Sequence, residues 1–233
     1  NSLGNLQEYW DEIYSHPRML GGFIWDWVDQ GLYKTAPDGS RYIAYGGDFG
    51  DEPNLGAFCL NGVVFSDREI TPQYKELRKV YQPVGLELVA RTPEWIKISV
   101  TNRHHHVSLD DYKIAWELSR RGESYKTGEH PSLDLAPGDS TLIEIPNPVP
   151  EETVAGDEFH FKIGFYLRNQ TFWADSGYEV AWAQFPLMVE TPLRDTVELQ
   201  SMPELQVKET SDHIVIRGKS FLARFSRESG TLD

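Results

Sequence analysis

The spacing of apolar residues changes once along this chain, near residue 82, and the change limits the folds open to it. Before it, helix-like steps mix with one short apolar run. Leu3, Leu6, Trp10 and Ile13 recur at three and four residues and share a helical face. Pro17 ends that helix, because proline disfavours helical backbone in the residue before it. Met19-Leu20-Gly21-Gly22-Phe23-Ile24-Trp25 suits a strand buried on both faces, as in a parallel sheet. Ala36-Pro37-Asp38-Gly39 predicts a turn between strands at Leu32-Tyr33 and Tyr42-Ile43. Thr71-Pro72 predicts a capped helix start, with Tyr74, Leu77 and Tyr81 on its apolar face. After Pro83 the period becomes two: Ile96, Ile98, Val100; Ile114, Trp116, Leu118; then Phe159, Phe161, Ile163, Phe165, Leu167. Turn residues separate these runs, the pattern of an immunoglobulin-like β-sandwich. Glu190-Thr191-Pro192 predicts a boundary, followed by strand pieces at Ile214/Ile216 and Phe221/Ala223/Phe225. A strand begun after Gly230 is expected to find no partner within the chain.

Composition narrows the function classes. The 233 residues carry 22 Lys+Arg against 36 Asp+Glu, a formal charge of −14. That charge repels phosphate backbones, so no nucleic-acid partner is expected. No stretch reaches the roughly 20 apolar residues of a membrane helix, so no membrane partner is expected. The single cysteine, Cys59, excludes an internal disulfide framework and reads as a buried thiol in a reducing compartment.

Two clusters can carry chemistry. In Gly21-Gly22-Phe23-Ile24-Trp25-Asp26-Trp27-Val28-Asp29-Gln30, two indoles and two carboxylates follow the apolar run directly. At the C-terminal end of a barrel strand this is where active sites form, and an indole there can stack on a sugar face. Trp25 and Trp27 serve equally well as core, and Asp26 and Asp29 as a helix cap or surface pair. The second cluster runs from Tyr45-Gly46-Gly47-Asp48-Phe49-Gly50-Asp51-Glu52-Pro53-Asn54 to Phe58-Cys59-Leu60-Asn61-Gly62. Its carbonyls and Asn side chains suit a hard cation; an elaborate turn is the plainer reading. It lacks the Lys-Ser/Thr ending of a phosphate loop. His104-His105-His106, on a strand, would alternate between faces and could not converge on one metal. Asn169-Gln170-Thr171 fits the glycosylation pattern by accident.

In order along the chain, Asn1-Ser2-Leu3-Gly4-Asn5, the Trp-Asp-Trp-Val-Asp-Gln run, residues 45–51 and residues 58–65 resemble the large bacterial β-galactosidases of glycoside hydrolase family 2. The resemblance is strong over residues 1–82. It continues more weakly through Asp111-Tyr112 and Trp116-Glu117-Leu118. It implies a mixed α/β and all-β chain: residues 1–82 as the C-terminal third of a (β/α)₈ barrel, 83–190 as an immunoglobulin-like sandwich, and 191–233 as the start of a terminal β-sandwich. It implies retaining hydrolysis of terminal β-galactosides by two carboxyls. The family's nucleophile and acid/base Glu fall before Asn1, so no catalytic residue is assigned and the chain alone is expected to be inactive. Magnesium ligands of the parent fall outside the chain as well. Trp25 is implied as a wall of the galactose subsite and Asn61 as a second substrate contact. Phe58, through its carbonyl, and Asn61, through its side chain, are implied sodium ligands. Leu55-Gly56 stand where some members carry Asp-Arg, which removes those charges from this loop. The expected partners are a β-galactoside, the rest of the parent polypeptide and, through exposed apolar faces, further copies of the chain. The cytoplasm is the expected compartment, with the periplasm left open. The competing reading is a non-catalytic sandwich that binds carbohydrate or acts as a scaffold.

Overall fold

The computed structural model describes residues 3–192 and 198–232. Asn1 and Ser2 of the opening motif, and Asp233, lie outside the described residues. The described chain is mostly sheet with few helices. Its contacts divide it into two units: residues 1–152 with 157–189, and residues 153–156 with 190–233.

The first unit opens with helix α1 (Leu6–Ser15), which stops before Pro17 as its sequence predicts. Leu6 is buried, and Leu3 and Trp10 pack beside it. The hairpin forms from β1 (Leu32–Thr35) and β2 (Arg41–Ala44), joined by the Ala36–Gly39 turn. Helix α2 (Pro72–Val80) starts as expected: the Thr71 side chain accepts a hydrogen bond from the Tyr74 amide, and Pro72 occupies the first turn. Leu77 and Val80 bury against Leu6 and Val63.

The apolar run before Trp25 is not a strand. Residues 19–23 are exposed, Leu20 and Phe23 fully so. Period and composition identified a segment able to be buried on both faces, but among the described residues no strand lies alongside to complete a ladder. The alternative of Trp25 and Trp27 as core side chains is likewise corrected, since both are exposed.

From residue 84 the period-two runs become strands. β3 (Val84–Arg91), β4 (Trp95–Asn102) and β7 (Ser140–Pro146) form one antiparallel sheet. β6 (Glu123–His130), β5 (Tyr112–Arg120), β8 (Phe159–Leu167) and β9 (Glu179–Leu187) form the other. Ile96, Ile98, Ile143 and Ile145 of the first sheet share one core with Ile114, Leu118, Phe161 and Phe165 of the second. Gly128 lets the Trp116 ring lie over its strand, where it stacks on Phe161 with ring centres 5.8 Å apart.

Helix α2 is tied to β9 by polar contacts. Lys79 donates to the Trp182 carbonyl, Gln82 accepts from the Trp182 amide at 3.1 Å, and Arg78 donates to the Glu179 carbonyl. The Lys79 ammonium lies 4.1 Å from the Trp182 ring centre. Burial pushes its pKa down to about 8, partly countered by Glu179.

The second unit is a three-stranded antiparallel meander: β10 (Gln206–Glu209), β11 (His213–Arg217) and β12 (Leu222–Ser226). β10 was not legible in the sequence, because its residues are all exposed and carry no alternating apolar signal. The expectation of an unpaired final strand is corrected by an antiparallel bridge between Leu232 and Phe225.

Candidate functional site

The two clusters singled out in the sequence lie side by side. Residues 25–30 and 58–64 are zipped together by backbone bonds. The Gln30 amide donates to the Cys59 carbonyl at 2.9 Å, Asp29 to Val64 at 3.0 Å, and Val63 to Asp26 at 3.0 Å. Val28 and Val64 form a parallel bridge. Val63 and Val64 are buried, which anchors this ladder from behind. A regular strand would place Trp25 and Trp27 on one face, but residues 25–27 are not regular strand and the two indoles diverge. Trp25 lines a cavity of about 310 Å³. Trp27 faces a separate aromatic cavity of about 340 Å³, edge-on to Tyr74 at 5.8 Å.

The cavity beside Trp25 brings together the residues implied by resemblance. Phe58 and Asn61 share its wall with Trp25, together with Gly46, Asp51 and Cys59. Cys59 is therefore half-exposed, which corrects the expectation of a buried thiol. The Asn61 amide donates to the Phe58 carbonyl, so these two polar groups are within reach of each other.

The glycine-rich loop forms the rim of this cavity as an elaborate turn. The Tyr45 amide donates to Asp48 at 2.9 Å and the Gly47 amide to Asp51 at 3.0 Å. Gly47 holds φ at 94°, in the left-handed region that favours glycine. The Gly46 amide donates to the Gly56 carbonyl at 3.1 Å, with no room for a side chain between them. Asp48 and Asp51 thus accept from the loop's own amides. Lys34 donates to the Asp48 carbonyl and crosses the Phe49 ring at 5.0 Å, pinning the loop to β1.

Asp26 and Asp29 cap no helix. Asp26 accepts from the Gln30 side chain, and its other carboxylate oxygen is buried without a hydrogen-bond partner. Asp29 accepts from the Gly62 amide at 2.7 Å. Sequence reasoning missed this pairing. The available signal was a glycine interrupting the apolar run Leu60-Asn61-Gly62-Val63-Val64, which marks a close backbone approach.

The histidines lie beyond the end of β4, not on a strand. His104 bonds the Tyr112 hydroxyl at 2.9 Å and stacks on its ring. Burial, then the neighbouring His105, pushes its pKa down. Phe161 and Phe165 of the second sheet are fully buried, so neither offers a face to a sugar, while Trp116 is partly buried and Tyr125 is exposed.

Chemically, the cavity offers an exposed indole opposite amide and carbonyl oxygens. That combination has the chemistry to take a polyhydroxylated ring by one apolar face and by its hydroxyls.

Comparison with known proteins agrees with this chemistry. Residues 1–86 match the family profile for the TIM barrel domain of glycosyl hydrolases family 2. Residues 98–188 match the profile for β-galactosidase domain 4. A β-galactosidase of Priestia megaterium (strain DSM 319 / IMG 1521) is 38% identical over 231 residues. That alignment covers 99% of this chain and 22% of the relative, so the chain spans about a fifth of the curated relative's length. Among solved structures, a candidate β-galactosidase from Bacteroides fragilis overlays 61% of this chain and 19% of its own, at 10% identity and a TM-score of 0.25. HBP35 of Porphyromonas gingivalis overlays 99% of this chain and 79% of its own, at 10% identity and a TM-score of 0.30. Overlays this loose carry no argument. The two profiles and the long alignment do: the chain belongs to glycosyl hydrolase family 2 and is similar to a piece of a β-galactosidase.

Proposed function

We propose that the complete polypeptide hydrolyses terminal β-galactosides with retention, and that this chain supplies part of the galactose subsite. The observation carrying the proposal is the cavity wall that Trp25 shares with Phe58 and Asn61, which lie far from it in sequence. The indole takes the apolar face of the sugar, and Asn61 reaches a hydroxyl. The two carboxyls of a retaining mechanism come from elsewhere in the polypeptide, so the chain alone has no hydrolytic activity. The magnesium ligands likewise lie outside it.

Phe58 and Asn61 fit a monovalent hard cation such as sodium in their donor chemistry. A carbonyl and an amide side chain stand within reach of each other on the cavity wall, and carbonyl and amide oxygens are the donors hard cations take. The amide's oxygen and nitrogen ends exchange by a half-turn. Bound there, the cation would supply a positive charge for a sugar hydroxyl.

The architecture we infer follows the resemblance. Residues 1–82 form the last third of a (β/α)₈ barrel, 83–190 an immunoglobulin-like domain, and 191–233 the opening of a further β-sandwich. The two-sheet order β3-β4-β7 against β6-β5-β8-β9 supports the middle assignment, since it needs strands that switch sheets between neighbours. The rest of the polypeptide is then the natural partner of the exposed apolar surface of residues 19–23 and Trp25. No helix among the described residues is long and apolar enough to cross a membrane.

Trp25→Ala in the complete enzyme tests the subsite. The KM for a chromogenic galactoside is expected to rise about tenfold or more, a loss on the order of 1.4 kcal/mol in binding. An unchanged KM removes Trp25 from the subsite. Turnover by the purified 233-residue chain, abolished by Trp25→Ala, overturns the division of labour.

A further inference from the structure

We propose that Asp29 is a positioning residue that sets Asn61 against the Trp25 cavity through the backbone amide of Gly62. This rests on the reading of that cavity as a galactoside and cation site, and adds a residue that the reading does not need.

One peptide unit links Asn61 and Gly62. The Asn61 carbonyl and the Gly62 N–H belong to the same planar group. The Asp26 amide donates to that carbonyl at 3.3 Å, a long bond. The Asp29 carboxylate accepts from that N–H at 2.7 Å. Fixing both ends of a rigid plane fixes the backbone at Asn61, and with it the direction of the Asn61 side chain. The carboxylate bond is the stronger of the two, because one partner is charged and the distance is shorter.

Close packing at Gly62 sets up this bond. A Cβ on Gly62 would fall on the Asp29 amide nitrogen and the Val28 carbonyl carbon, and 2.6 Å from the Val64 carbonyl oxygen. Gly62 therefore lies directly against the backbone of residues 28–29, which brings its amide within reach of the Asp29 carboxylate. Asp29 is itself fixed at both backbone ends. Its amide donates to Val64 at 3.0 Å, and its carbonyl accepts from the Ser66 hydroxyl at 3.2 Å. Its carboxylate is thus delivered from a held backbone. Any shift of the Asn61–Gly62 peptide moves the Asn61 amide relative to the Phe58 carbonyl.

Calorimetric binding of a non-hydrolysable β-thiogalactoside to the complete enzyme, at low and high sodium chloride, tests this. Asn61→Ala examines the site reading first. If affinity and its sodium dependence match the wild type, that reading fails and the inference falls with it. If Asn61→Ala weakens binding, Asp29→Ala is expected to weaken it about tenfold and to blunt the sodium dependence. Asp29→Asn keeps an acceptor oxygen and is expected to lose about two- to threefold. Adding Asp29→Ala to Asn61→Ala is expected to cost less than about twofold more, because both changes act through one side chain. Full additivity, or wild-type affinity in Asp29→Ala, overturns the positioning role. Should Asp29→Ala fail to fold, wild-type affinity in Asp29→Asn overturns it instead.

Discussion

Phe161 and Phe23 are the same side chain in two regions of the molecule with opposite surroundings. Phe161 sits between two sheets that complete each other, with none of its surface exposed. Phe23 lies in an equally apolar run and is wholly exposed. The two facing sheets bury their apolar residues with material from within residues 84–187. The segment ahead of Trp25 buries apolar surface only at Ile24, which packs against the core of Leu6 and Val63; Met19, Leu20 and Phe23 are exposed, and among the described residues no strand pairs with them. Burial therefore depends on what lies across from a strand as much as on its own sequence.

The largest expected effect breaks or confirms that contrast directly. Phe161→Ala in the 233-residue chain should cost about 3–5 kcal/mol in a urea melt, because it removes a buried ring and leaves a cavity. Phe23→Ala should stay within about 0.5 kcal/mol, as for an exposed side chain. Similar losses at both positions would mean that Phe23 is covered in solution. A smaller effect probes how far residues 1–82 organise themselves. Thr71 caps α2 and also donates to the Val63 carbonyl, tying the helix start to the site ladder. Thr71→Ala should cost about 1 kcal/mol by the same melt, and Thr71→Ser much less.

The smallest effect concerns the junction between α2 and β9. Lys79 has a folded pKa of about 8 against an ordinary value near 10.5. Between those values the unfolded chain binds more protons at this residue than the folded chain does. Its contribution to stability therefore grows as pH rises from about 8 towards 10.5 and is lost as pH falls through 8. Glu179 and Glu76 oppose the shift, while Arg103 and Lys162 add to it. Tyr166 is pushed up to about 12 by burial and Glu179, so it acts with the opposite sign only above pH 10. Melts between pH 8 and 10 should show a flatter rise in stability for Lys79→Gln than for the wild type. Identical slopes would mean that water reaches the ammonium freely.

Local signals carried much of the fold. Thr71-Pro72 predicted a helix start because cap and first-turn preferences are set by neighbouring backbone. Ala36–Gly39 predicted a hairpin and Pro17 a helix end for the same reason. The period-two runs identified their strands, since one face must be buried whatever the partner. β10 escaped because an exposed strand needs no such pattern. At the site, resemblance singled out Trp25, Phe58 and Asn61, and residue chemistry alone left Trp25 open between core and subsite. Asp29 was misread as a cap or surface pair, because its partner Gly62 is a backbone amide that is remote in sequence.

The sequence by itself determined what each segment prefers: helix, turn, alternating strand, or apolar run. Those preferences come from interactions over a few residues. Tertiary structure alone decided two things: that Trp25 and Trp27 face different cavities, and that one carboxylate holds the Asn61–Gly62 peptide. Each depends on two distant segments meeting within about 3 Å in a single register, which no local pattern specifies.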